Sequence, residues 1–174
     1  IADRADHAQV VRLTYRELGN RVDRAAGSLS RLGVTPRDVV TVQLPNWWEF
    51  VVTALACSKI GAVFNPVMPI LRERELLYVL NFCESKVFIV PRTYRGFDYA
   101  AMAQGMRGEL HHLQHLIVVD GDGDGSFERE ILSAEPGGQP AVSAGTSPAL
   151  GPDDIAVVMF TSETTGEPKG VIHT

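Results

Sequence analysis

Apolar positions recur along this chain in two alternating rhythms. The stripe Leu18, Val22, Ala25, Leu29 and Leu32 steps by four, three, four and three residues, the spacing of one helical face. Thr14 and Glu17 precede it as a capping box, so a helix is predicted to start there, and Gly33 with Pro36 supplies its stop. The apolar run Val39 to Leu44 then reads as a buried strand. Asn46 is the predicted cap of a second helix, with Glu49 at its third position. Phe50, Ala54, Cys57 and Ile60 form its face and Gly61 its end. A short strand from Ala62 to Phe64 follows. A third helix from Arg72 to Cys83 turns Leu76, Leu77, Leu80 and Cys83 inward, and Lys86 to Val90 is an apolar strand closed by Pro91. The pattern repeats with a helix from Asp98 to about Gly108, a strand from Leu116 to Val119 and a short helix from Ser126 to Leu132.

Helices of about three turns alternating with short apolar strands predict an α/β fold, a mostly parallel sheet flanked by helices on both faces. Residues 1–132 read as one α/β subdomain. Residues 133–154 carry Pro136, Pro140, Pro148 and Pro152 among Gly137, Gly138, Gly145 and Gly151, too many breakers for a regular element, and read as a connecting loop. Residues 155–174 then open a second subdomain with strands from Ile155 to Phe160 and from Gly170 to Thr174.

Composition narrows the function classes. The 174 residues hold 16 Lys and Arg against 21 Asp and Glu, a net charge of -5, and no basic cluster that would track a nucleic-acid backbone. Cys57 and Cys83 lie in apolar stretches without metal-ligand spacing and read as buried free thiols of a reducing, cytoplasmic compartment. The most membrane-like stretch, Phe50 to Leu71, is interrupted by Lys59, Asn65, Pro66 and Pro69, so no transmembrane segment is expected. The chain opens on Ile1 without a secretory pattern and stops at Thr174 inside a β-branched run, which reads as a piece of a longer protein.

Candidate chemistry is concentrated between the last two strands, in Thr161-Ser162-Glu163-Thr164-Thr165-Gly166-Glu167-Pro168-Lys169-Gly170. Hydroxyls and backbone N–H groups donate to phosphate oxygens, glycine lets the backbone turn tightly around them, and the ammonium neutralises charge. The segment suits a polyphosphate. It is not a Walker A loop, because Pro168 precedes the lysine and the flanks favour strands over a helix. A polar hairpin turn that binds nothing has the same composition.

TSETTGEPKG closely resembles the T-S-G-T-T-G-x-P-K-G phosphate loop of the AMP-forming, adenylate-forming superfamily: acyl-CoA synthetases, luciferases and peptide-synthetase adenylation domains. LTYREL at Leu13 to Leu18, VVTVQLPNWWEF at Val39 to Phe50 and GAVFNPVMPILREREL at Gly61 to Leu76 resemble the large N-terminal domain of the same family. The NPVMP and RERELL stretches are most similar to synthetases for medium-chain, cyclic (cyclohexanecarboxylate-like) or aromatic acids. The resemblance implies a two-step ligase. A carboxylate attacks the α-phosphate of Mg2+-bound ATP to give acyl-AMP and pyrophosphate, and coenzyme A then takes the acyl group. It assigns Thr161, Ser162, Glu163, Thr164, Thr165, Gly166, Lys169 and Gly170 to the cradle of the nucleotide phosphates, where they position the leaving pyrophosphate electrostatically. Catalytic residues and the mobile C-terminal part of the chain are expected downstream of Thr174. An adenylation domain that loads a carrier protein, and a non-catalytic remnant serving as a binding module, are the alternatives. Glu163 departs from the family glycine. A carboxylate there repels phosphate unless it faces solvent or a metal ion, and it is read as an outward-facing variation.

Other signals carry less. Asp120 to Gly125 imitates half a calcium loop, but Ile131 stands where a bidentate Glu is required, so it reads as a solvated turn. His111, His112 and His115 lack a completing Cys or carboxylate and read as a polar junction. Arg72 to Glu75 reads as an exposed first helical turn, and at least one of Trp47 and Trp48 is expected between helix and sheet.

Overall fold

The computed structural model describes residues 11–133, 150–161 and 168–174. The first helix, α1 (Tyr15–Arg31), is capped as expected: the Thr14 hydroxyl accepts from the Glu17 N–H at 3.2 Å, and the Glu17 carboxylate accepts from the Thr14 N–H at 2.7 Å. The alternation continues with β1 (Val39–Val42), α2 (Trp48–Ile60), β2 (Val63–Pro66), α3 (Glu73–Phe82) and β3 (Val87–Pro91). A hairpin, β4 (Thr93–Tyr94) and β5 (Phe97–Asp98), leads into α4 (Tyr99–Met106) and β6 (His115–Val119), and a π-helical turn covers Glu128–Leu132. The last strands are β7 (Val157–Phe160) and β8 (Gly170–His173).

Six strands form one sheet in the order β6-β3-β1-β2-β7-β8. The first five run parallel and β8 returns antiparallel to β7. Alternation along the strands sorts the core into two layers. Val40, Val42, Phe64, Val87 and Ile89 face α1, α2 and the π-helical turn, whereas Phe88 and Val90 face α3 and α4. The parallel α/β architecture with helices on both faces is as the periodicity predicts.

Several local expectations are corrected. The N-cap of α2 is Trp47, without a side-chain cap bond, and Asn46 does not serve; the Trp47 N–H closes a tight turn onto Pro45 O at 2.6 Å, delaying the helix by one residue. The buried surface of α2 also includes Val52, Thr53 and Ala56 beside Cys57 and Ile60, because α1 covers the helix on one side and the sheet on the other. Phe50 and Ala54 are only half-buried. In α3, Val79 joins Leu76 and Leu80 inside, while Leu77 and Cys83 stay half-buried. The β4–β5 hairpin went unpredicted; its two-residue loop places Arg95 (φ 50) and Gly96 (φ 75) in the left-handed region, the geometry that matches strand twist.

Trp47 is buried in the core and meets Tyr94 edge-on, while Trp48 is half-buried against Phe127 and under Arg21. His115 opens β6, its Nε2 2.9 Å from Leu32 O. In the acidic turn, Asp122 pairs with Arg92 and Asp124 with Arg129. Both cysteines are free, and burial pushes the Cys57 thiol up to about 12 and the Cys83 thiol up to about 11. No helix among the described residues is long and apolar enough to cross a membrane.

The turn into β1 carries a charge pair with a measurable consequence. Burial pushes the Asp38 carboxyl up, but hydrogen bonds from Lys86 Nζ at 2.8 Å and from the Thr35 N–H and hydroxyl, with the Lys86 charge, outweigh it and hold the group below the usual range. A carboxyl lowered by folding stabilises above its unfolded value and loses that contribution as pH falls through the folded one. The unfolding free energy of Asp38→Asn is therefore expected to converge on that of the unsubstituted chain as pH drops below about 4. A difference in urea-denaturation free energy that stays constant from pH 7 to 3 would remove this assignment.

Candidate functional site

Strands β7 and β8 form a stem that flanks the hydroxyl-rich segment in the sequence. Their register pairs Val157 with His173, Val158 with Ile172, Met159 with Val171 and Phe160 with Gly170. Beyond the last pair, the Thr161 N–H donates to Lys169 O at 3.1 Å and the Thr161 hydroxyl reaches the same oxygen at 3.5 Å. The stem is thus closed at its tip by the first and last polar residues of the candidate cradle. Ser162, Glu163, Thr164, Thr165 and Gly166 lie outside the described residues. Gly170 sits in the extended strand, where an added Cβ would make ordinary contact, 3.5 Å, with the Phe160 ring. Local space therefore does not require glycine there.

Because β7 runs parallel to β1, β2, β3 and β6, Thr161 and Lys169 project from the carboxyl edge of the sheet. That edge is where open α/β sheets bind ligands, in crevices outside the strand ends. Beside them, β2 runs into the turn Met68–Leu71, whose carbonyls are held by side chains from three directions. Gln43 Nε2 donates to Met68 O at 3.1 Å and Leu71 O at 3.0 Å. Arg72 donates to Pro69 O at 2.7 Å and Leu71 O at 2.8 Å, and the Tyr99 hydroxyl to Pro69 O at 2.7 Å. The Arg72 guanidinium also lies 4.1 Å from the Phe97 ring centroid and 5.5 Å from that of Tyr99. This corrects the reading of Arg72 as part of an exposed turn: it is half-buried and braces the wall beside the β7–β8 stem. Only Glu73 and Arg74 of that run are exposed. The missed signal is the aromatic pair Phe97 and Tyr99, which follows a two-residue Arg-Gly turn and gives a guanidinium two faces to stack on.

Among the described residues no group of three or more His, Cys, Asp or Glu side chains comes together. The chemistry at the carboxyl edge is hydroxyl and ammonium, a donor set for phosphate oxygens.

The profile of the family described as AMP-binding enzyme matches residues 3–174, nearly the whole chain. The chain belongs to that family. A 2-hydroxy-7-methoxy-5-methyl-1-naphthoate–CoA ligase of Streptomyces carzinostaticus is 36% identical over 94% of this chain and 30% of its own length. The medium-chain fatty-acid–CoA ligase of Escherichia coli (strain K12) is 34% identical over 92% of the chain and 28% of its own length. Among solved structures, the anthranilate CoA ligase AuaEII in complex with anthranoyl-AMP superimposes with a TM-score of 0.78 at 27% identity, covering 92% of this chain and 29% of that one. The chain therefore spans about 30% of the length of the AMP-binding relatives it matches. The α/β sheet described above is the corresponding part of the N-terminal domain of adenylate-forming enzymes.

Proposed function

We propose that this chain is the N-terminal part of an ATP-dependent acyl-CoA synthetase acting on a small fatty, cyclic or aromatic carboxylic acid. The supporting observation is the TSETTGEPKG loop on a stem closed by Thr161 and Lys169 at the carboxyl edge of an AMP-binding fold. ATP, the carboxylate and coenzyme A are the substrates, and Mg2+ would arrive with the nucleotide. In this reading Thr161, Ser162, Thr164, Thr165, Gly166, Lys169 and Gly170 surround the β- and γ-phosphates. They hold the triphosphate so that the carboxylate oxygen meets the α-phosphorus, and they neutralise the charge that accumulates on departing pyrophosphate. No nucleophile is needed from this part of the chain. The two free thiols support a reducing, cytoplasmic setting.

The decisive experiment is ATP–pyrophosphate exchange by the full-length protein across a panel of medium-chain, alicyclic and aromatic carboxylates, followed by thioester formation with coenzyme A. Exchange with at least one acid and transfer to coenzyme A are expected. Exchange with none identifies a non-catalytic remnant, and transfer only to a carrier-protein thiol identifies a carrier-loading adenylation domain. Residues 1–174 alone are expected to form no acyl-CoA.

Glu163 belongs to the same reading as a side chain turned to solvent. An exposed carboxylate contributes only about 1 kcal/mol or less of repulsion at close range in water. Glu163→Gly is therefore expected to change the ATP dissociation constant less than about fivefold. A tenfold tightening in calorimetry would place the carboxylate against the phosphates instead.

A further inference from the structure

The β7–β8 stem is joined to the body of the sheet at its base. Among the described residues, β2 and β7 share one ladder pair, Phe64 with Val157, reinforced by the Phe64 N–H donating to Ala156 O at 2.9 Å. Strand β7 then runs on to Phe160, and over that length its ladder partner among the described residues is β8. Backbone pairing thus fixes the two strands to each other and leaves their tip, with the Thr161–Lys169 bond, projecting from the sheet. A segment held by so few contacts opens locally at low cost unless side chains tie it down.

A run of aromatic rings does so. Phe160 packs against the layer under α3 and α4 and meets the Phe82 ring edge-on, with centroids 5.9 Å apart and planes at 88°. Phe82 is in turn stacked on Tyr78, one turn earlier in α3, at 5.7 Å and 23°. The Phe160 ring also leans across the last ladder pair, where a Cβ on Gly170 would lie 3.5 Å from it. Helix α3 is a firm anchor for these rings, since Leu76, Val79 and Leu80 bury it against the sheet. Phe82 itself is 63% exposed, so core burial does not account for a ring at that place.

We propose that Phe82 is a positioning residue for acyl-adenylate formation: its ring holds Phe160, and through Phe160 the adjoining Thr161 and its partner Lys169, where they meet the nucleotide phosphates. The inference rests on the ligase reading above. Phe82 touches no substrate. Thr161 follows Phe160 directly, so a tip that swings away withdraws both donors together. The loss then falls on the step that expels pyrophosphate, and acyl transfer to coenzyme A, from which no pyrophosphate departs, is spared.

The test measures the two half-reactions separately in the full-length protein: acyl-AMP formation from ATP and the acid, and thioester formation from acyl-AMP supplied directly with coenzyme A. Phe82→Ala is expected to slow the first about three- to tenfold, the fold-change that one edge-to-face ring pair corresponds to. The second half-reaction and the KM of the carboxylate stay unchanged. Phe82→Tyr keeps the ring and restores the rate, whereas Phe82→Leu keeps most of the volume and restores only part of it. If Phe82→Ala does not fold, Phe82→Leu is read by the same criterion. Equal losses in both half-reactions mean general damage to the fold and overturn the proposal, as does full adenylation in Phe82→Leu. An unsubstituted protein that forms no acyl-AMP overturns the ligase reading and this proposal with it. An active protein in which Phe82→Ala changes adenylation less than about twofold overturns the positioning alone.

Discussion

Lys169→Ala in the full-length protein is expected to lower the rate of acyl-adenylate formation by roughly 100- to 1000-fold, the usual consequence of removing one preorganised donor from charge that develops in a transition state. The backbone argument isolates the ammonium. It is the carbonyl of residue 169 that closes the stem onto the Thr161 N–H, and alanine keeps that carbonyl. The side chain is exposed, so the substitution should move stability by no more than about 0.5 kcal/mol. Lys169→Arg retains the charge on a wider, planar group and is expected to recover only part of the loss. Thr161→Ala removes one neutral hydroxyl and should cost less than Lys169→Ala. Single-turnover adenylation with the acid held saturating reads the effect directly. A loss below about threefold at position 169 would take the lysine out of the phosphate cradle.

What could be read from the sequence follows from how local each determinant is. The start of α1 was legible because Thr14 and Glu17 supply both cap bonds within four residues. The hydroxyl-rich candidate segment could be singled out for the same reason, since its donors are consecutive. The face of α2 was not. A helix covered by α1 on one side and the sheet on the other buries residues all round, so no single stripe marks its inward side. Its cap was missed because the turn from Pro45 to Trp47 spends the residue that would otherwise have capped it. The wall beside the β7–β8 stem was the least legible part. Gln43, Arg72 and Tyr99 are scattered over 57 positions, and only the return of the chain to one sheet edge turns all three onto the carbonyls of Met68–Leu71. Read locally, Arg72 is one of four alternating charges. Read in the fold, it is stacked on Phe97 and Tyr99 and committed to two carbonyls.

The largest stability effect is expected at Phe88, at the second position of β3. Its ring is fully buried in the layer under α3 and α4, among Leu76, Leu80, Val90, Met102 and Ala103. Helices on that side reach the sheet through such side chains, so deleting the ring removes a large share of the packing that joins both helices to the central strands. Phe88→Ala is expected to cost about 3–5 kcal/mol, transfer energy plus the cavity left behind, against a total of about 5–15 kcal/mol for a domain. The substitution is thus able to unfold a large share of the population at 37 °C. The backbone pairing of Phe88 with Thr41 and Leu116 is unaffected, so the loss arises in the packing layer and not in the ladder. Phe88→Leu keeps most of the apolar volume and should recover at least half the loss, which distinguishes a volume effect from an aromatic one. Urea denaturation followed by circular dichroism measures both. An unfolding free energy for Phe88→Ala within about 1 kcal/mol of that of the unsubstituted chain, at unchanged m-value, would mean that α3 and α4 are held to the sheet by something other than this layer.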